Sequence, residues 1–235
     1  YPPRYSPAAV LKWWLSSKKW GGSCFGMSTS SALLFKHHSE FVSKYSTFPS
    51  GNDPFYITSD ANVKTVINEL FTHQLGREHW NYYVNMLKLK TPTETLNDIK
   101  KMLIDENEPL RTLTIVSNDS TDPGAHSILA YKVEQDIQIP NLYNVFVYDN
   151  AYPQSFGNSV IVVDTTANNG NGAWFPTYGW QNWGGQAKFL LMDPVEDYLT
   201  KPRLPEKRGA SPFLVESNEL QVFNTAGASI TIADE

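Results

Sequence analysis

The chain has 235 residues, a length that suits one large domain or one domain with an appendage, and its 41% hydrophobic and 13% aromatic residues are typical of a globular, aromatic-rich protein. Its 19 Lys and Arg against 24 Asp and Glu give a net charge of -5, which predicts no binding surface for nucleic acid or an anionic membrane. The longest apolar runs, such as FLLM at 189–192, are too short to span a bilayer, and the single cysteine excludes an internal disulfide and a multi-thiolate zinc site.

The first part of the chain favours helices. A proline-rich start is followed by AAVLKWWL at 8–15, which has the apolar stripe of a short helix, and the glycines at 21–22 interrupt local order. Apolar residues at helical spacing then predict a helix from Cys24 to about Tyr45.

Two further helices carry recognisable start signals. Asp60 is a good cap for a helix over 60–88. Thr91, with Pro92 and Glu94 after it, has the pattern of a capping box and predicts a helix that begins there.

The second part of the chain favours strands. Runs rich in β-branched and aromatic residues, separated by turns, predict strands at 110–117, 126–136, 143–150, 159–165 and 187–194, with LQVFN and ASITIAD as later candidates. Helices followed by strands predict an α+β fold with a helical lobe, an antiparallel sheet lobe and a cleft between them. We expect the helical lobe over about 8–108 and the sheet lobe over about 109–199, with 200–235 a linker and C-terminal strands, interpreted as an unfinished edge strand or the start of a following module.

Cys24 lies after two glycines and at the start of a predicted helix. The unpaired N–H groups and the positive end of the helix dipole favour a thiolate at such a position, and the glycines let a substrate backbone approach. The alternative is a buried structural cysteine. A catalytic role requires a base and a group that orients the base.

His126 is the best candidate base, because PGAHSILAY places it after a Pro-Gly turn at the start of an apolar strand. Asp149 and Asn150 end the next strand, VFVYDN. Because consecutive strands can pair as antiparallel neighbours, Asp149 is expected to accept from the imidazole of His126, with Asn150 as the alternative. The structural alternative for His126 is a histidine at a strand start that is bonded to a loop carbonyl. The structural alternative for Asp149 and Asn150 is a turn that ends the strand.

The segments GGSCF, GAHSILAY and VYDNAYP together resemble the papain-like cysteine peptidases, and most closely their bacterial and archaeal branch related to bacteriocin-leader peptidases. The resemblance covers about residues 20–190 and implies the papain-like two-lobe fold with a catalytic triad of Cys24, His126 and Asp149. From Cys24 to His126 there are 102 positions (126 − 24), fewer than the roughly 130–150 of papain itself.

The sequence departs from this family at the oxyanion hole. Papain-like enzymes usually carry a Gln shortly before the cysteine, but here that position is Lys18, and no Gln precedes Cys24. The backbone N–H of Cys24 is then one expected donor. Lys18, Lys19, Trp20 and Ser23 are the candidates for a second donor.

An aromatic segment, WFPTYGWQNWGG at 174–185, has two interpretations. Its rings can pack beneath the strands, or one Trp can shield the His–Asp bond or line the cleft, as in papain-like enzymes. Trp180 and Trp183 are the candidates for that role. The remaining histidines, His37, His38, His73 and His79, are interpreted as surface or core residues, and no metal or cofactor is expected.

The leading hypothesis is a peptidase that acts on a peptide or protein substrate through a thioester. The same chemistry serves a transglutaminase-like acyltransferase or a cell-wall amidase. The non-enzymatic alternative is a catalytically silent surface interaction module. The start of the chain, without Met or a signal segment, led us to expect an excised part of a larger prokaryotic protein that is secreted or displayed at the cell surface. The oligomeric state is not predicted.

Overall fold

A computed structural model of the protein describes residues 22–49, 60–75, 79, 82, 85–86, 90–117, 124–184 and 189–200. The predicted helix at 8–15 and the strand candidates LQVFN and ASITIAD lie outside these residues. Within them, no helix is both long enough and apolar enough to cross a membrane.

The α-helices whose two ends lie among the described residues are α1 (Cys24–Lys36), α2 (His38–Lys44), α3 (Ala61–Thr72) and α4 (Pro92–Ile104). The single helix predicted from Cys24 to Tyr45 is wrong, because the backbone leaves the helical region at His37 (φ -125°, ψ 48°). The break re-aims the second segment, so that Phe41 packs fully buried against Tyr45 and Phe48.

Helix α3 begins as predicted but ends early. The Asp60 side chain accepts a hydrogen bond from the N–H of Val63 at 2.9 Å, which confirms the cap. The predicted single helix over 60–88 is wrong in its continuity: α3 stops at Thr72 and His73–Leu75 forms a short 3-10 turn, whereas the described residues 79, 82, 85 and 86 are again helical, as predicted. The hydroxyl of Thr72 donates to the carbonyl of Glu69 at 2.6 Å and so competes for the backbone acceptors of this last turn.

The capping box at the start of α4 is confirmed. Thr91 accepts from the backbone N–H of Glu94, the Glu94 carboxylate accepts from the backbone N–H of Thr91, and Pro92 occupies the first helical turn.

One six-stranded antiparallel sheet follows the helices. Its strands are β1 (Arg111–Val116), β2 (Ala125–Gln135), β3 (Leu142–Tyr148), β4 (Val160–Asp164), β5 (Ala173–Pro176) and β6 (Leu190–Pro194). The strand order is β5-β4-β3-β2-β1-β6, so consecutive strands form a meander and β6 returns beside β1. The α+β class is therefore confirmed. The sequence did not indicate β5, because its four residues lie within the aromatic segment and end in a proline.

Two hydrophobic clusters form the interior. The first joins α1, α2 and α3 with Val195 and Tyr198, which follow the last strand. The second joins the sheet with Leu96 and Ile99 of α4. Helix α4 was assigned by sequence to the helical lobe, but its buried side chains pack with the sheet. Core membership therefore does not follow chain order alone.

Candidate active site

Cys24 is the first residue of α1 and is partly exposed. The side chain of Ser23, the N-cap residue, forms no capping hydrogen bond, and the first turn contains no acidic residue that would offset the positive end of the dipole. Gly22, two residues earlier, has φ 150°, a conformation that residues with a side chain rarely adopt. The start of α1 can therefore stabilise negative charge on the Cys24 sulfur.

His126 is the second residue of β2 and pairs with Ile115 of β1. His126 is only 3% exposed to solvent. The ring contacts Asp149 through Nε2, at 2.7 Å from Oδ1, and it forms a side-chain hydrogen bond with Cys24. Because Nε2 is engaged by Asp149, Nδ1 is the ring nitrogen available to the thiol. The imidazole thus lies between a sulfur on the helix and a carboxylate on the sheet.

Asp149 follows the last residue of β3 and is almost completely buried. Besides His126, the backbone N–H of Ala151 donates to Oδ1 at 2.7 Å. Tyr178 Oη and Trp180 Nε1 donate to Oδ2 at 3.0 and 2.8 Å. Four donors therefore hold this carboxylate in one orientation, and the His126 ring is aligned with it.

The Asn150 side chain is hydrogen-bonded to groups other than the imidazole. Its side-chain nitrogen lies within hydrogen-bond distance of three oxygens: the Cys24 carbonyl at 3.3 Å, the Ser28 hydroxyl at 2.9 Å and the Ser127 carbonyl at 3.0 Å. Ser28 also donates to the Ser127 carbonyl at 2.6 Å. Asn150 and Ser28 therefore fasten α1 to β2 next to both Cys24 and His126, and Asp149 is the acidic partner of the histidine.

The aromatic segment covers one side of the histidine. The Trp180 ring lies against His126, with centroids 4.5 Å apart and planes inclined by 35°. Trp183 packs against the Trp180 ring, with ring centroids 4.7 Å apart, and is itself buried in the core of the sheet. Trp180 thus covers the His126–Asp149 hydrogen bond and also donates to the Asp149 carboxylate, while Trp183 supports the Trp180 ring.

The environment of the pair favours the charged forms. Burial opposes protonation of His126, but its hydrogen bonds to Asp149 and Cys24 outweigh burial and raise its pKa to about 9. Burial likewise opposes ionisation of Asp149, and the hydrogen bonds from His126, Trp180 and Ala151 outweigh it, so the pKa of Asp149 is lowered. A buried imidazolium–carboxylate pair next to a thiol at a helix start is the chemistry of an activated cysteine.

A cavity of about 20 Å³ lies beside the Cys24–His126 pair, and its walls include Gln74, His79 and Asp193. Asp193 is fully buried, and burial raises its pKa to about 7 although Thr114 donates to its Oδ2. Its Oδ1 lies 3.8 Å from His79 Nε2.

Sequence reasoning missed these three wall residues and Tyr178. His79 had been interpreted as a surface or core residue, and nothing local distinguishes Gln74 or Asp193. Tyr178 lay inside the aromatic segment, but the sequence did not indicate that its hydroxyl faces Asp149.

The other predicted site residues have different outcomes. Lys18, Lys19 and Trp20, proposed as oxyanion donors, lie outside the described residues. The Ser23 hydroxyl is directed to the Asn68 side chain at 3.2 Å, on α3. In the part of the chain that the structure describes, no group of three or more His, Cys, Asp or Glu side chains is arranged to hold a metal ion.

Comparison with protein-family models, with curated proteins and with solved structures found no match for this chain.

Proposed function

We propose that this protein is a cysteine peptidase of the papain-like type, with the nucleophile on a helix and the base and its orienting group on the sheet. The observation that carries the proposal is the position of His126. Its Nε2 is 2.7 Å from the Asp149 carboxylate, and its other side is hydrogen-bonded to the Cys24 side chain. Each member has the partner that its role requires.

In the proposed reaction, Cys24 and His126 rest as a thiolate and an imidazolium. The Cys24 sulfur attacks the carbonyl carbon of the scissile peptide bond, and the carbonyl electron pair moves onto oxygen. The tetrahedral intermediate collapses, the C–N bond breaks, and the His126 proton moves to the leaving amine. The product is a thioester on Cys24 and a neutral His126.

Hydrolysis then reverses the role of the histidine. Neutral His126 removes a proton from water as the water oxygen attacks the thioester carbon. The C–S bond breaks, the carboxylic acid leaves, and the thiolate–imidazolium pair is restored. Asp149 stays ionised throughout and keeps Nε2 protonated and oriented, because three other donors already fix its two oxygens.

The first test is the rate of Cys24 alkylation by iodoacetamide from pH 4 to 10, followed by intact mass. We expect fast alkylation that persists well below the titration range of a free cysteine at about pH 8.5, and its loss in His126→Ala. His38→Ala, on α2 and away from the cavity, is the matched control and should retain the wild-type profile. Slow alkylation that rises only near pH 8 to 9 in all three proteins would refute the proposal, and Cys24 would then belong to an interaction module.

The second test identifies the acceptor of the acyl group. Fluorescein-labelled casein is incubated with wild-type protein and with Cys24→Ala, with and without added glycine methyl ester. Cysteine-dependent peptide release in the absence of amine supports a peptidase. Product that forms only in the presence of the amine would replace the peptidase by an acyltransferase.

A further inference from the structure

The Gln74 side chain is the feature of the cavity that the triad does not use. Gln74 lies in the 3-10 turn that directly follows α3, and its side chain lines the cavity together with Cys24 and His126. The Gln74 Nε2 atom is buried and has no hydrogen-bond acceptor among the described residues. A buried amide donor without an acceptor is costly, by about 1–3 kcal/mol, and is therefore uncommon in the absence of a functional reason.

The cavity has space for a small acceptor. A volume of about 20 Å³ has room for one group the size of a water molecule. The group that reaches this place during thiolate attack is small as well: the single carbonyl oxygen that becomes negatively charged when the Cys24 sulfur bonds to the carbonyl carbon.

The packing of α3 against α1 explains why Gln74 lies here, although it is 50 residues from the cysteine (74 − 24). Gly26 of α1 lies so close to α3 that a Cβ in its place would be 2.0 Å from the Ile67 carbonyl oxygen. The Ser23 hydroxyl contacts Asn68, one residue further along α3. The end of α3 and the turn after it are thereby held beside the start of α1.

We propose that Gln74 is an oxyanion-hole donor of this enzyme. Gln74 Nε2–H donates one hydrogen bond to the oxygen that becomes negative during attack, and the backbone N–H of Cys24 at the start of α1 donates another. No proton is transferred from Gln74. Its amide stabilises the negative charge on the oxygen until the tetrahedral intermediate collapses and the carbonyl reforms. This inference rests on the proposed thiol chemistry, and it supplies the donor that the sequence lacks before Cys24.

Two reagents separate this role from activation of the thiol. Iodoacetamide alkylates sulfur by displacement at a CH₂ group, and its reaction passes through no oxyanion. p-Nitrophenyl acetate transfers its acetyl group to the Cys24 sulfur through a tetrahedral oxyanion and releases p-nitrophenolate. Both rates are measured under single-turnover conditions on the full chain for wild type, Gln74→Ala and Gln74→Glu, with Gln135→Ala as a control at an exposed glutamine of β2 remote from the cavity.

We expect Gln74→Ala to acetylate about 10²-fold more slowly than wild type, with an unchanged rate and pH profile of alkylation. Gln74→Glu removes the donor and adds a carboxylate at nearly the same size, so its loss should be at least as large. Unchanged alkylation also reports that Gln74→Ala is folded at the site, whereas the added carboxylate of Gln74→Glu lies near the thiolate and should slow its alkylation as well.

Three results would overturn the inference. Wild-type acetylation rates in both Gln74 variants would show that the amide does not touch the oxyanion. Equal losses of alkylation and acetylation in Gln74→Ala would assign Gln74 to support of the Cys24–His126 pair. An unreactive wild-type Cys24 would refute the peptidase proposal itself and the inference with it, whereas the first two results leave the peptidase proposal intact.

Discussion

The most informative single substitution is Asp149→Asn, because it removes the charge that faces His126 and keeps the size of the side chain. In the wild-type protein the pKa of His126 is raised from 6.5 to about 9, a difference of 2.5 units (9 − 6.5). At 1.36 kcal/mol per unit this corresponds to about 3 kcal/mol of stability. The hydrogen bond to Asp149 is the largest of the causes that raise this pKa, followed by the hydrogen bond to Cys24, so Asp149→Asn should remove a substantial part of this stabilisation.

The sign of the pH dependence follows from the direction of the shift. The folded protein binds the His126 proton more tightly than the unfolded chain does. The stabilisation is therefore fully present below pH 6.5 and is lost as the pH rises through about 9. In Asp149→Asn this loss should shrink, because the neutral amide no longer favours the imidazolium.

The assay is urea unfolding followed by far-UV circular dichroism at pH 6, 8 and 9.5. The comparison is made in a Cys24→Ala background, because a Cys24 thiol that loses its proton on folding would offset the proton that His126 gains. In this background we expect the free energy of unfolding to fall over this range, and the fall to be smaller in Asp149→Asn, by up to about 3 kcal/mol. Asp136→Asn, in the hairpin between β2 and β3, is the control and should follow its Cys24→Ala parent. A fall of equal size in Asp149→Asn would refute the assignment of the His126 shift to Asp149.

Three other substitutions test the surroundings of the site. Trp180→Phe keeps a ring beside His126 but removes the Nε1–H that donates to Asp149, so it should cost about 2 kcal/mol in urea unfolding at pH 7; an unchanged stability would contradict that contact. Burial raises the pKa of Asp193 from 3.8 to about 7, so the folded state retains a proton that the unfolded state releases, and stability should fall as the pH rises between these values. Asp193→Asn should flatten this part of the stability–pH curve, and an identical slope in the variant would contradict the assignment. Gly26→Ala would bring a Cβ against the Ile67 carbonyl and force α1 and α3 apart, at a cost of about 1–3 kcal/mol in thermal unfolding; a variant as stable as wild type would show that the helices adjust freely.

Much of the fold could be predicted because the signals are local. The capping box at Thr91 and the Asp60 cap are each built from residues within three positions of one another, and both were predicted correctly. Five of the strands follow from runs of β-branched and aromatic residues. The boundaries that were wrong, at His37 and after Thr72, depend on where Phe41 packs and on a side-chain hydrogen bond, and neither can be deduced from helical periodicity.

The core of the candidate site could also be predicted, for a topological reason. His126 lies at the start of β2 and Asp149 directly follows β3, and antiparallel pairing of consecutive strands brings the start of one and the end of the next to the same end of the sheet. The position of Cys24 at a helix start follows from the glycines before it. The positions of these three residues could therefore be deduced from the order of the helices and strands along the chain.

The tertiary structure alone decided the residues that surround them. Gln74 lies 50 positions after Cys24 in the sequence (74 − 24), and it reaches the cavity because α3 packs against α1 at Gly26. Asn150 was a candidate partner of the histidine, but its side chain turns to Cys24 and Ser28 and fastens the helix to the sheet. Sequence patterns encode secondary structure through short-range periodicity, whereas the direction of one side chain is fixed by packing between segments that are distant along the chain.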